Sequence, residues 1–170
     1  MADKKAQNKI VLDLTRDFLT AVRDRKDWHP FAQLRTRQMK AAPNIPTFGQ
    51  FKVLSTQNPG HGMDAEQIRK VHIELTIEAS QKVKYHAVRG TLLVVHECEW
   101  EPCTECNGTG QLEDETVCAT CAGTGKIKLA QPRIPEKGSD TYDHDVANAE
   151  WGVSPGTFAY IPGTERLIER

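Results

Sequence analysis

Long apolar runs are missing from this 170-residue chain: the longest uninterrupted one, Leu92 to Val95, is far too short to span a membrane. The N-terminal stretch "MADKKAQNKI" has no apolar h-region, so no secretory signal is expected and the cytoplasm is the expected address. Cysteine is scarce, five residues in all. In a reducing compartment so few thiols, if clustered, point to metal binding rather than to disulfides. There is no Walker-type glycine loop, and Ser154 in "GVSPGT" lacks the setting of a nucleophile elbow. With no catalytic constellation in view, the expectation is a protein that is not an enzyme. Basic residues are also missing where they would matter most, since no Lys or Arg falls between Arg89 and Lys126.

What is present reads as soluble and globular, with 38% hydrophobic and 26% charged residues, in a length suited to one ordinary domain. The net charge of −1 conceals an asymmetry. Residues 1–52 carry eleven Lys/Arg against five Asp/Glu, and residues 53–170 carry eleven against eighteen. The stretch without basic residues holds Glu97, Glu99, Glu101, Glu105, Glu113, Asp114 and Glu115.

Periodicity organises the rest. From Lys5 to Lys26 the residues Ile10, Val11, Leu14, Phe18, Ala21 and Val22 recur at helical spacing, with Leu12 and Leu19 on the other face. "DWHP" should end that helix, and "FAQLRTRQMKA" predicts a second, shorter one before the breaker "APNIPTFG". Beyond the turn "NPGHG", the stretch "VHIELTIEA" alternates as a strand with one wet face, "KVKYHAV" repeats the alternation, and "TLLVVHECEW" reads as a more buried strand. "KIKLAQP" should return beside this antiparallel sheet, which makes residues 100–125 an excursion between two strands. The C-terminal stretch, rich in Gly, Pro and Asp, reads as irregular, with Trp151, Phe158 and Tyr160 as anchors.

The excursion contains one octet twice: "CTECNGTG" at 103–110 and "CATCAGTG" at 118–125. A structural zinc site wants four ligands in a tetrahedron, and two C-x-x-C knuckles supply them as Cys103, Cys106, Cys118 and Cys121. Gly108, Gly110, Gly123 and Gly125 follow at matching offsets, as expected where the chain folds back sharply and turns backbone N–H groups toward sulfur. Duplicated cysteines alone could be redox pairs; with duplicated glycines they read as a pseudo-symmetric metal site.

Both octets match C-x-x-C-x-G-x-G, and residues 103–125 thereby resemble the cysteine-rich zinc-binding domain of DnaJ-type co-chaperones. The resemblance implies that the two repeats form a single site, one zinc per chain held by Cys103, Cys106, Cys118 and Cys121. DnaJ proteins of that type carry four repeats and a J domain with His-Pro-Asp; here there are two repeats, and His29-Pro30-Phe31 lacks the aspartate. Stimulation of Hsp70 is therefore not implied. Similar two-repeat modules occur in small protein-binding proteins, among them a bacterial inhibitor of an RNA-binding regulator, and in some phage transcription factors.

The expected fold class is α+β. It comprises N-terminal helices (1–42), antiparallel strands (43–99), an inserted zinc-stapled β-hairpin (100–128) and an irregular C-terminal segment packing on the body (129–170). Cys98 lies outside the repeat and reads as a strand cysteine. Asp143, His144 and Asp145 stand together as a solvated loop or a weak cation site. Three functions are open. One is a protein-interaction module (adaptor, chaperone-like or inhibitory regulator) whose acidic zinc hairpin meets a basic protein surface. Another is a nucleic-acid binder using Arg16, Arg23, Arg35 and Arg37 among Phe18, Trp28 and Phe31. The third is thiol–disulfide exchange through C-x-x-C, which zinc occupancy would block. Oligomer formation is left open.

Overall fold

Helix α1 spans Lys4–Arg23 in the computed structural model, which describes residues 4–57, 67–79 and 84–168. Its dry face differs from the hydropathy stripe. Val11, Thr15, Phe18 and Leu19 are fully buried, while Ile10 is 51% exposed. The spacing i, i+4, i+7, i+8 is that of a core-facing helix, and Thr15 supplies its second position. A hydropathy reading passes over Thr15 because it is polar. In the helix its Oγ1 donates to the Val11 carbonyl at 2.8 Å, so the hydroxyl is satisfied inside the dry face. Counting Thr15 turns the stripe toward Leu19 and leaves Ile10 outside.

The helix ends where "DWHP" predicts. Lys26 N–H donates to the Ala21 carbonyl at 2.8 Å, and Arg25 takes a left-handed φ of 55°. This is the Schellman closure, with arginine where glycine is usual. The second helix expected over "FAQLRTRQMKA" does not form. Two single 3₁₀ turns, His29–Phe31 and Leu34–Thr36, stand in its place. The reason is tertiary: Ala32 is extended and bridges to Val153, and Gln33 N–H donates to the Val153 carbonyl at 2.9 Å. That pairing withdraws the backbone from a helical ladder. His29 joins the packing, stacked on Trp28 at 4.0 Å and hydrogen-bonded to Asp27 and the Met39 carbonyl.

Among the described residues, seven strands follow: β1 (Phe51–Gln57), β2 (Ile68–Ala79), β3 (Lys84–Pro102), β4 (Lys126–Arg133), β5 (Ala149–Val153), β6 (Ala159–Tyr160) and β7 (Arg166–Ile168). Helix α2, Tyr142–Asn148, lies between β4 and β5. The sheet runs β1-β2-β3-β4, with β5, β6 and β7 also pairing with β3. The α+β class is as expected. Residues 129–170, expected to be irregular, hold the end of β4, α2 and three strands. The turn "NPGHG" falls outside the described residues. No described helix is long and apolar enough to cross a membrane.

The chain divides into two compact units, Met1–Val95 with Trp151–Arg170, and His96–Glu150. In the first, Val11, Phe18 and Leu19 of α1 meet Val71, Ile73 and Leu75 of β2 and Leu92 and Val94 of β3, with Trp28, Val153 and Phe158 completing the core. The alternate face of β2 is not simply wet. Glu74 is buried, bound by Arg89 at 3.3 Å and by Arg166 of β7 at 3.0 Å, which hold its carboxyl below the usual range against the opposing effect of burial. Of the expected aromatic anchors, Phe158 is buried and Trp151 packs on the core with Arg69 over its ring, whereas Tyr160 is 54% exposed.

In the second unit, β3 and β4 pair antiparallel, with Trp100 opposite Lys128 and Pro102 opposite Lys126. Residues 103–125 are thus an excursion between adjacent strands, shorter than the expected 100–125 because β3 continues through Pro102. Asp145 on α2 is 1% exposed and takes a two-point ion pair from Arg133, at 2.9 and 3.0 Å. Burial works against its charge; Arg133 and the Thr141 hydroxyl overcome that and hold the carboxyl below the usual range.

Gly152 marks the tightest approach in the first unit, since an added Cβ would lie 2.4 Å from Gln33 Cα and 2.7 Å from the Ala32 carbonyl carbon. Backbone at that distance cannot move aside cheaply. Gly152→Ala is expected to lower stability by about 1–3 kcal/mol or more, read as a lower urea midpoint at unchanged m-value. A midpoint indistinguishable from wild type would show that the 32–33 segment shifts freely.

Candidate metal centre

Each octet folds as the same knuckle. In the first, Gly108 N–H donates to the Cys103 carbonyl at 2.9 Å and Thr109 N–H to the Cys106 carbonyl at 3.1 Å; in the second, Gly123 and Thr124 repeat both bonds at 3.1 Å. The residue after the second cysteine is left-handed in both, Asn107 at φ 52° and Ala122 at φ 54°. All four glycines then take φ between 78° and 84°, a region that residues with a Cβ enter only with strain. The twist brings Gly110 N–H to Cys106 Sγ at 3.2 Å and Gly125 N–H to Cys121 Sγ at 3.3 Å.

The two knuckles lock together across a local two-fold. Cys103 N–H donates to the Gly125 carbonyl at 2.9 Å, and Cys118 N–H donates to the Gly110 carbonyl at 3.0 Å. The backbones touch: a Cβ on Gly110 would lie 2.4 Å from the Gly123 oxygen, and one on Gly125 would lie 2.5 Å from the Gly108 oxygen. Two of the repeated glycines therefore serve a conformation and a close approach at once.

The result is a buried cluster of Cys103, Cys106, Cys118 and Cys121, with Ile127 packed against it. Their sulfurs lie within 4.8 Å of one another, with Cys103 and Cys118 at 3.9 Å and Cys106 and Cys121 at 3.7 Å. Four sulfurs placed about 2.3 Å from a tetrahedral zinc ion sit roughly 3.8 Å apart, close to the Cys103–Cys118 and Cys106–Cys121 separations. Burial pushes the Cys103 thiol up to about 11. Burial acts on Cys121 too, but the Gly125 N–H and the Cys106 thiol outweigh it and bring Cys121 to about 6. Cys121 thereby gives up its proton more readily than Cys103, and a divalent cation would displace the protons that remain.

Sequence reasoning overlooked the threonine inside each "GTG". Thr109 Oγ1 donates to the Cys106 carbonyl at 2.7 Å and receives Gln111 N–H at 3.2 Å. Thr124 repeats this with Cys121 at 2.7 Å and Lys126 at 3.3 Å. The signal was available, because threonine recurs at the same offset as the glycines around it.

Between the knuckles the chain makes a tight, capped apex. Gln111 and Val117 bridge, Leu112 N–H donates to the Thr116 carbonyl at 2.9 Å, and Asp114 accepts from the Thr116 backbone N–H at 3.2 Å. Glu113, Asp114 and Glu115 are exposed there, as are Leu112 at 40% and Val117 at 64%. Not every nearby acid adds to this surface. Glu97 is fully buried, and Glu99 lies 3.9 Å from the Lys128 ammonium. Cys98 and His96 are buried in β3 and take no part in the four-cysteine cluster.

Compared with protein-family models, curated proteins and solved structures, the chain matches none.

The glycines separate two costs. Gly108→Ala meets nothing nearer than 3.9 Å and should pay only for its φ of 79°, weakening metal affinity by roughly tenfold. Gly110→Ala adds the collision with the Gly123 oxygen and should cost clearly more. Competition with a chromophoric chelator measures both. Equal losses would show that knuckle contact contributes nothing to affinity.

Proposed function

We propose that residues 103–125 form a zinc-stapled, DnaJ-like hairpin that presents an acidic apex to a basic surface on another protein. Four buried cysteine sulfurs gathered within 4.8 Å of one another favour a thiophilic ion, and zinc is the structural ion that four cysteines serve best. The observation that carries the protein-binding reading is the charge of the hairpin. Its exposed acids are Glu105, Glu113, Asp114 and Glu115, and no Lys or Arg lies within it. A zinc ion with four thiolates would add two formal negative charges. Such a surface repels phosphate and attracts Lys and Arg. Leu112 and Val117 flank the acids and give the apex apolar area to desolvate.

The nucleic-acid reading draws less support from its four arginines. Arg16 pairs with Asp13 at 2.8 Å, Arg23 pairs with Asp24 at 3.0 Å and lies over the Phe51 ring, and Arg37 donates to the Ala32 carbonyl at 3.1 Å. Thiol–disulfide exchange is outside this proposal, because an ion held by all four cysteines leaves no free thiolate in the knuckles.

The hairpin has little apolar surface of its own, so the metal should supply its folding energy. Chelation is expected to collapse the amide dispersion of residues 103–125 while amides of Val71–Ile77 keep their shifts. Elemental analysis after exhaustive dialysis should return one tightly held zinc per chain, lost in Cys106→Ser/Cys121→Ser. Iron in its place, or global unfolding on chelation, would defeat this part of the reading.

Partner binding has its own test. Glu113→Lys/Asp114→Lys/Glu115→Lys should lose capture of the protein partner retained by wild type, and should leave any nucleic-acid affinity unchanged or raised. Crosslinks from residues 103–125 to RNA or DNA, or loss of nucleic-acid binding in that variant, would reverse the assignment.

A further inference from the structure

Sulfur, imidazole and carboxylate also converge away from the knuckles. Cys98 on β3, with His144 and Asp145 on α2, place one potential ligand atom each within 4.8 Å of one another. All three belong to the His96–Glu150 unit. Cys98 and Asp145 are buried, and His144 retains 23% side-chain exposure, which leaves an approach from solvent.

We propose that Cys98, His144 and Asp145 form a second, weaker divalent-cation site of zinc type. Three protein ligands with a fourth position left to water is the composition of an open zinc site, in contrast to the closed four-cysteine cluster. One thiolate in place of four, and three protein ligands in place of four, make it the weaker of the two.

Two geometric observations support the assignment. His144 Nδ1 and Asp145 Oδ1 stand 3.5 Å apart, beyond an ordinary hydrogen bond although they are adjacent in sequence. Two light ligands each about 2.0–2.1 Å from one tetrahedral ion are held roughly 3.3 Å apart, close to this separation. The carboxylate is also held from behind. Arg133 donates to Oδ2 at 2.9 Å and to Oδ1 at 3.0 Å, and Thr141 Oγ1 donates to Oδ2 at 3.0 Å. Outer contacts of this kind orient metal-binding carboxylates, and each Asp145 oxygen has a second lone pair that Arg133 does not use.

Cys98 sits at an irregularity in the ladder, where the β3–β4 register shifts between Cys98 and Trp100. Its thiol donates to the Trp100 carbonyl at 3.1 Å, and Trp100 N–H lies 3.4 Å from the sulfur. Metal binding replaces the S–H bond with a sulfur–metal bond and releases the proton to solvent. The Trp100 N–H stays in place to donate to the thiolate. The site then carries thiolate and carboxylate against the cation and the Arg133 guanidinium, so no charge is buried without an opposite one beside it.

The test uses the full chain with zinc already in the four-cysteine cluster, titrated with cobalt(II). One further cobalt per chain is expected, with a thiolate-to-cobalt charge-transfer band and no zinc released. Cys98→Ser should abolish the band, and His144→Ala should weaken cobalt binding by about tenfold or more, both at unchanged zinc content. No uptake of a further cobalt overturns the proposal. A band that survives Cys98→Ser overturns it as well, since the cobalt would then sit among the other four cysteines. Should Cys98→Ser fail to fold, His144→Ala decides alone, because its side chain is partly exposed; unchanged cobalt affinity in that variant overturns the site. None of these readouts involves the acidic apex, so this proposal and the protein-binding reading stand or fall separately.

Discussion

Strand β3 stays extended for nineteen residues, Lys84–Pro102, and both units of the chain draw their order from its backbone. Its first part pairs with β2 over twelve residue pairs, from Ala79 opposite Lys84 to Ile68 opposite Val95. There Leu92 and Val94 enter the core closed by α1. Its last part pairs with β4, and the chain leaves that ladder at Cys103 and rejoins it at Lys126. Antiparallel neighbours must start and end side by side, so the twenty-three residues between them have to return to their origin. The excursion is closed at its base by the sheet before any metal is considered, which lowers the entropy lost in bringing two knuckles together.

Inside the excursion the controlling contact is backbone against backbone. The knuckles are too poor in apolar side chains to hold each other by burial. They rely on reciprocal hydrogen bonds, Cys103 to Gly125 and Cys118 to Gly110, which only glycine allows at that distance. The ligand set is therefore half assembled by peptide groups. A metal ion bound to such a frame would spend less on ordering its ligands than one bound to a flexible loop.

Electrostatics divide the remaining roles. Two buried carboxylates are answered at short range: Glu74 by Arg89 and Arg166, and Asp145 by Arg133. These pairs consume basic groups that would otherwise read as surface charge. The acids at the apex, Glu113 to Glu115, have no Lys or Arg within the excursion to answer them, and their field extends into solvent. Two sets of acids of the same composition thus differ only in what stands opposite each charge.

The four-cysteine cluster was legible in the chain itself because its geometry is local. Two C-x-x-C steps, with glycine and threonine at repeated offsets, encode knuckles whose hydrogen bonds span at most five residues, and a repeat announces such a unit wherever it occurs. Strand alternation in 71–79 was equally local, whereas the excursion expected at 100–125 begins only at Cys103, because β3 runs on to Pro102 in its pairing with β4. Tertiary structure decided the rest. Thr15 is a core residue because the Val11 carbonyl satisfies it, and "FAQLRTRQMKA" is no helix because Val153, more than a hundred residues away, takes its backbone. "TYDHDVANAE" reads as a loop until Arg133 arrives to neutralise Asp145, which lets α2 bury a carboxylate beside Cys98. The last two depend on a partner outside their own stretch of chain, and no pattern within one stretch records which outside group will supply the missing hydrogen bond or charge.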